Sequence, residues 1–126
     1  MKLNKDMNIL IVGLGLLGGS YAKALTDKGY NVTAVTKLQQ SIDYAVENSM
    51  IIGGSTEVNA ETVGNADLII FALYPTVFIN WIEENQKYIK SGAVLTDVTG
   101  VKGSVVYKIQ SMLRDDIEFI SAHPMA

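Results

Sequence analysis

The sequence predicts an α/β domain, a parallel sheet of about six strands with helices on both faces. Three observations predict it. Short apolar or β-branched runs alternate with helical patterns along the whole chain. A glycine-rich turn joins the first run to the first helical pattern. The length, 126 residues of which 48% are hydrophobic, suits one domain with a real core. Such alternation implies parallel strands joined by right-handed helical crossovers.

The elements follow in order. Asn8 to Gly13 (NILIVG) is an apolar run of strand length. Leu16 to Lys28 carries Leu17, Tyr21, Ala24 and Leu25 at helical spacing, and Gly29 stands where a helix C-cap glycine belongs. Asn31 to Thr36 (NVTAVT) is rich in β-branched residues and reads as the second strand. Gln39 to Asn48 is the next helix. Met50 to Gly64 is ambiguous: a Gly53-Gly54 turn, with room for one short strand and one short helix. Asp67 to Leu73 (DLIIFAL) is the clearest strand. Pro75 suits the first turn of a helix running to about Tyr88. Ala93 to Asp97 is a strand, Lys102 to Arg114 a helix, and Ile117 to Ser121 a last strand. Phe78 and Trp81 fall at core spacing on their helix.

Bulk composition removes several function classes. The net charge is −3, which argues against a nucleic-acid partner. Cysteine is absent, so disulfides and cysteine-ligated metals are excluded and a reducing compartment fits. No metal site is expected. No apolar run approaches the roughly 18 residues of a membrane span; the longest, Leu68 to Leu73, is only strand length. Met1 to Met7 has no signal-like apolar region. The expectation is a cytoplasmic protein with no membrane partner.

Gly13-Leu14-Gly15-Leu16-Leu17-Gly18 is a GxGxxG element. Alone it is weak, but here it lies between a strand and a helix, the context that gives it meaning. Gly13 permits a tight turn, Gly15 lets backbone approach a pyrophosphate, and Gly18 lets helix and strand pack closely. The free N–H groups at Leu14 to Leu17 would then face the phosphates. This makes the predicted sheet a Rossmann-type, dinucleotide-binding one. An acidic residue is usual roughly 20 positions on, where it holds the ribose 2′-OH. Here that position is about Thr36, followed by Lys37, and the next acid is Asp43 inside a helix. A hydroxyl beside an ammonium suits a 2′-phosphate, which tilts the expectation toward NADP over NAD. The bland alternative is a solvated surface lysine and an NAD site without the acidic clamp.

Four segments, GLGLLGGS, ADLIIFALYP, TDVTGVKG and FISAHPMA, fall in the order and spacing of the prephenate and arogenate dehydrogenase family. The chain resembles the N-terminal, nucleotide-binding domain of that family over nearly its whole length. The DVxxVK-type segment and the SHPMA-type ending carry most of the specificity. The resemblance implies a mostly helical second domain, used for dimerisation and substrate, which this chain of residues 1–126 lacks. It also implies a homodimer in the full-length protein, prephenate or arogenate as substrate, and an inactive isolated piece. One departure stands out. The family usually has a serine before the Val-Lys of its DVxSVK segment; the matching position here is Gly100, and Thr99 beside it offers a hydroxyl from a different backbone site. Tyr74 also stands where a smaller residue is common.

His123 is the single histidine, just past an apolar strand and followed by Pro124. Strand C-termini are where open α/β sheets place ligands, but by residues alone a capped structural histidine is the better reading. The family reaction is an oxidative decarboxylation of prephenate to 4-hydroxyphenylpyruvate, or of arogenate directly to tyrosine. A hydride leaves the ring carbon that bears the hydroxyl, and carbon dioxide departs from the opposite carbon. The resemblance implies that His123 accepts the hydroxyl proton, a task suited to a neutral imidazole. Ala72, Leu73, Tyr74 and Pro75 would border the cofactor at the end of one strand, with Asp97, Thr99 and Val101 at the end of the next. Asp97 also suits the cap of the following turn. Lys102 either attracts substrate carboxylates or simply opens a helix. Competing readings are another NAD(P)-dependent dehydrogenase (a β-hydroxyacid dehydrogenase or a pyrroline-carboxylate reductase), a non-catalytic NAD(P)-sensing domain, and a methyltransferase. The first lacks the His-Pro ending, the second needs no histidine at the nicotinamide, and a pyrophosphate-type loop disfavours the third.

Overall fold

A computed structural model describes residues 4–100 and 102–121. The first apolar run forms β1 (Asn8–Val12), and the glycine turn leads into α1 (Leu16–Asp27). Gly29, at φ +91°, turns the chain out of that helix, a conformation glycine adopts without a Cβ penalty. Then come β2 (Asn31–Val35) and α2 (Gln39–Glu47). The ambiguous stretch resolves into β3 (Gly53–Ser55) and a single-turn α3 (Ala60–Val63). A capping box fixes the start of α3: the Asn59 side chain accepts from the Glu61 and Thr62 N–H groups, and the Thr62 hydroxyl accepts from the Asn59 N–H. Gly53 and Gly54 are therefore strand residues, not the turn expected from their sequence. A Cβ on Gly54 would lie 2.9 Å from the Ala34 carbonyl oxygen, so close packing of β3 against β2 accounts for that glycine.

The second half contains β4 (Leu68–Phe71), α4 (Pro75–Asn85), β5 (Val94–Asp97), α5 (Gly103–Met112) and β6 (Glu118–Ser121). Pro75 occupies the first turn of α4 as expected. A 3₁₀ turn, Gln86–Tyr88, extends α4 to the residue where its pattern stopped. All described strand pairs are parallel, and the sheet order is β3-β2-β1-β4-β5-β6. The order reverses between β1 and β4, the switch point at which such sheets bind ligands.

Alternation along the strands divides the core into two layers. Ile9, Ile11, Val32, Ala34 and Ile70 face Ala22 of α1 and Ile42 and Ala45 of α2. Leu10, Val12, Ile69, Phe71 and Leu95 face Val63 of α3, Phe78, Trp81 and Ile82 of α4, and Ile109 of α5. Phe71 stacks on Phe78 at 4.6 Å and meets Trp81 edge-on at 5.0 Å, so both α4 aromatics are core residues. The register aligns Val35, Val12, Phe71, Asp97 and Ser121, so the strands end along one edge. At the other edge the Asn8 N–H donates to Asp67 and Lys90 pairs with it, and together they hold the Asp67 carboxyl below its usual range.

Candidate functional site

Three loops leave the C-terminal edge beside the switch point. The first holds the glycine element. Gly13 has φ +94°, and a Cβ there would lie 2.7 Å from the Ala72 carbonyl oxygen. Its N–H donates to the Val35 carbonyl at 2.9 Å, tying the turn to the end of β2. A Cβ on Gly18 would collide with the Gly13 carbonyl and come within 3.1 Å of the Ala72 Cβ. Gly15 is the opposite case: it is exposed, and a Cβ there would meet nothing within 4 Å. The three glycines thus divide into turn, open approach and close packing, as the spacing predicts.

Gly15 is also the N-cap of α1. No side chain caps that helix, and its first turn carries no acid. The first N–H groups of a helix lack internal partners and favour an anion. A pyrophosphate fits this cradle: the open face at Gly15 gives it room and the uncapped helix end gives it donors. Leu14 and Gly15 also open onto a cleft of about 810 Å³ between α1 and α2, which Ser20, Lys23, Ser41 and Tyr44 help to line. Sequence reasoning missed this cleft, because it forms between helices distant in the chain.

The second loop follows β4. The Ala72 N–H donates to the Val12 carbonyl at 2.9 Å, so this loop lies directly against the glycine turn. Tyr74 is the N-cap of α4 and is 83% exposed. Its ring stands at the lip of the site and not in the core, and Pro75 follows it, also exposed. Thr36 and Lys37 lie one loop further along the edge, after β2. The Thr36 N–H donates to the Ser55 carbonyl at 3.2 Å, and the Lys37 side chain is exposed.

The third loop follows β5 and is organised by Asp97, which is 1% exposed. Asp97 Oδ2 accepts from the Gly100 N–H at 3.0 Å, the Thr99 N–H at 3.2 Å and the Thr99 hydroxyl at 3.4 Å. The carboxylate is turned into its own loop, the capping role the sequence suggested. Gly100 has φ +71°, a left-handed conformation that glycine takes more readily than serine. Thr99 is exposed, and its hydroxyl lies 3.5 Å from the Leu73 carbonyl oxygen. Lys102 is the exposed N-cap of α5.

The structure therefore brings Gly13, Gly18, Ala72, Leu73, Asp97 and Thr99 into one continuous wall. His123 and Val101 lie outside the described residues, as do the side chains of Leu16 and Leu17. A separate hollow of about 350 Å³, among Thr33, Gly53, Glu61, Asn65 and their neighbours, shares none of the predicted site residues.

A profile described as "Prephenate dehydrogenase, nucleotide-binding domain" matches residues 21–126. The chain belongs to this family. The match begins after the glycine element, so it does not rest on the one motif shared widely among dehydrogenases. A probable arogenate/prephenate dehydrogenase of Methanocaldococcus jannaschii is 28% identical over 97% of this chain and 27% of its own length. The T-protein of Haemophilus influenzae is 25% identical over 98% of this chain and 28% of its own. The chain thus spans little more than a quarter of these relatives. The prephenate dehydrogenase of Aquifex aeolicus, solved with hydroxyphenyl propionate and NAD+, superposes with a TM-score of 0.83. Its identity is 28%, over 94% of this chain and 42% of that one. A Synechocystis arogenate dehydrogenase gives 0.81 at 25% identity, over 93% and 40%. A Mycobacterium tuberculosis 3-hydroxyisobutyrate dehydrogenase, at 15% identity over 93% of this chain and 40% of that one, shares the fold alone, with a TM-score of 0.82. The chain is a dinucleotide-type domain of a dehydrogenase family, with a Rossmann sheet.

Proposed function

We propose that this chain is the cofactor domain of an NAD(P)-dependent enzyme that converts prephenate to 4-hydroxyphenylpyruvate by oxidative decarboxylation. The observation that carries the reading is the glycine turn at the switch point, in a chain of this family: two of its glycines are packed shut, while Gly15 opens at an uncapped helix end. Leu14 to Leu17 would hold the pyrophosphate through backbone N–H groups. Ala72, Leu73, Tyr74, Pro75, Thr99 and Val101 would border the nicotinamide half. Thr36 and Lys37 would favour the 2′-phosphate, so NADP is preferred to NAD.

The bound nicotinamide supplies the hydride acceptor. The chain's part is positional and acid–base. His123, which follows the last strand in sequence, accepts the proton of the ring hydroxyl as the hydride departs, and the Thr99 hydroxyl helps hold the substrate. Lys102, exposed at the start of α5, would attract a substrate carboxylate. Arogenate in place of prephenate is the alternative within the same chemistry, as two relatives carry that name. The two substrates differ in the side chain, whose contacts would come from sequence beyond this domain. The working protein would be a cytoplasmic homodimer, and the 126-residue piece would bind cofactor without turning substrate over.

In the full-length dehydrogenase, His123→Asn keeps a hydrogen-bonding group but removes the base. It should lower kcat on the order of 10²–10⁴ and leave KM less affected. Near-normal kcat in that variant would assign the histidine a structural role.

A further inference from the structure

We propose that Asp97 is a positioning residue for the nicotinamide half of the cofactor: its buried carboxylate fixes the β5–α5 loop as a wall without touching the ligand. The inference rests on the cofactor reading above and adds a part to it. Asp97 is the one charged residue with a buried side chain among those described. Burying a carboxylate is costly unless donors surround it. Here Oδ2 takes its donors from the loop itself: the N–H of Thr99, the N–H of Gly100 and the Thr99 hydroxyl. An acidic side chain that accepts from N–H groups two and three residues on locks a turn that the backbone alone would leave loose.

The location of that turn gives it meaning. Val98 beside Asp97 is a core residue, but Thr99 and Gly100, whose N–H groups the carboxylate accepts, are themselves exposed, so the clamp acts on the outward part of the loop. Immediately before them, the Val98 N–H donates to the Phe71 carbonyl at 3.0 Å, and the Thr99 hydroxyl, which can give its one proton to Asp97 or to Leu73, lies 3.5 Å from the Leu73 carbonyl oxygen. Two loops from the two strands on one side of the switch point are thereby held edge to edge. The glycine turn adjoins the same β4 loop from the other side. The pyrophosphate end of the site needs nothing from Asp97, whereas the surface beyond Leu73 depends on it. Loss of the carboxylate should therefore weaken recognition of one half of the cofactor only.

Binding of two ligands to this chain separates the halves. NAD+ carries the nicotinamide and ADP-ribose lacks it. The unaltered chain should bind NAD+ more tightly than ADP-ribose by about tenfold, a difference of roughly 1.4 kcal/mol. Asp97→Ala should erase most of that preference and leave ADP-ribose affinity unchanged, and Asp97→Asn, which still offers an acceptor oxygen to the two N–H groups, should restore it. If Asp97→Ala keeps the preference, or if both ligands weaken equally, the proposal is overturned; in the second case the carboxylate supports the whole domain. An unaltered chain that binds both ligands equally would overturn the proposal and leave the cofactor reading standing. A chain that binds neither would overturn both.

Discussion

The Gly13–Gly15 turn and the Val98–Gly100 turn share one edge of the sheet, but they are shaped by different means. In the first, the shape comes from missing side chains. Gly13 and Gly18 are glycine because neighbouring backbone occupies the space of a Cβ, and Gly15 is open because nothing occupies it. In the second, one buried carboxylate gathers the donors of the residues that follow it. The contrast teaches that glycine in one motif has two separable meanings, packing and access. The turn after β5 also holds a glycine, Gly100, at φ +71°, but its donors are gathered by a polar clamp.

The largest effect expected from this contrast is on stability. Gly18→Ala places a methyl against the Gly13 carbonyl. Overpacking of this kind costs about 1–3 kcal/mol, which should lower Tm by roughly 5–15 °C for a domain of this size. Gly15→Ala meets open space at an ordinary φ of −63°, so it should stay within about 0.5 kcal/mol of the unaltered chain. Thermal unfolding of the two variants side by side reads the difference. Equal melting temperatures would break the distinction between packed and open glycines.

A smaller effect is expected further along the same edge. Lys37→Asp should weaken NADP+ binding about tenfold and spare NAD+ if the exposed ammonium faces the 2′-phosphate as proposed, since the variant would set a like charge against it. Fluorescence titration with the two cofactors checks this. An unchanged NADP+ to NAD+ ratio would make Lys37 a solvated surface residue.

What the sequence made legible follows the same division. The glycine roles could be read because they depend on spacing within one short segment and its place between strand and helix. Phe78 and Trp81 could be read as core because helical periodicity puts them on one face. The Gly53-Gly54 pair misled, since glycine marks a turn or a close approach equally well and only the register of β3 on β2 decides. The contact of Thr99 with Leu73 and the cleft between α1 and α2 were invisible, because each joins residues that only the crossovers bring together. Asp97 was visible as a cap but not as the organiser of a wall, a role that depends on what its loop leans against.

The central claim is that Gly15 is left open for a pyrophosphate, and titration calorimetry of the 126-residue chain tests it most directly. The unaltered chain should bind NADP+ and, more weakly, NAD+. Gly15→Val puts two methyl groups into the open space without touching protein atoms at Cβ. It should keep the melting temperature and lower affinity for both cofactors on the order of a hundredfold, equivalent to about 3 kcal/mol. A stable Gly15→Val chain that binds either cofactor as tightly as the unaltered one would contradict the account.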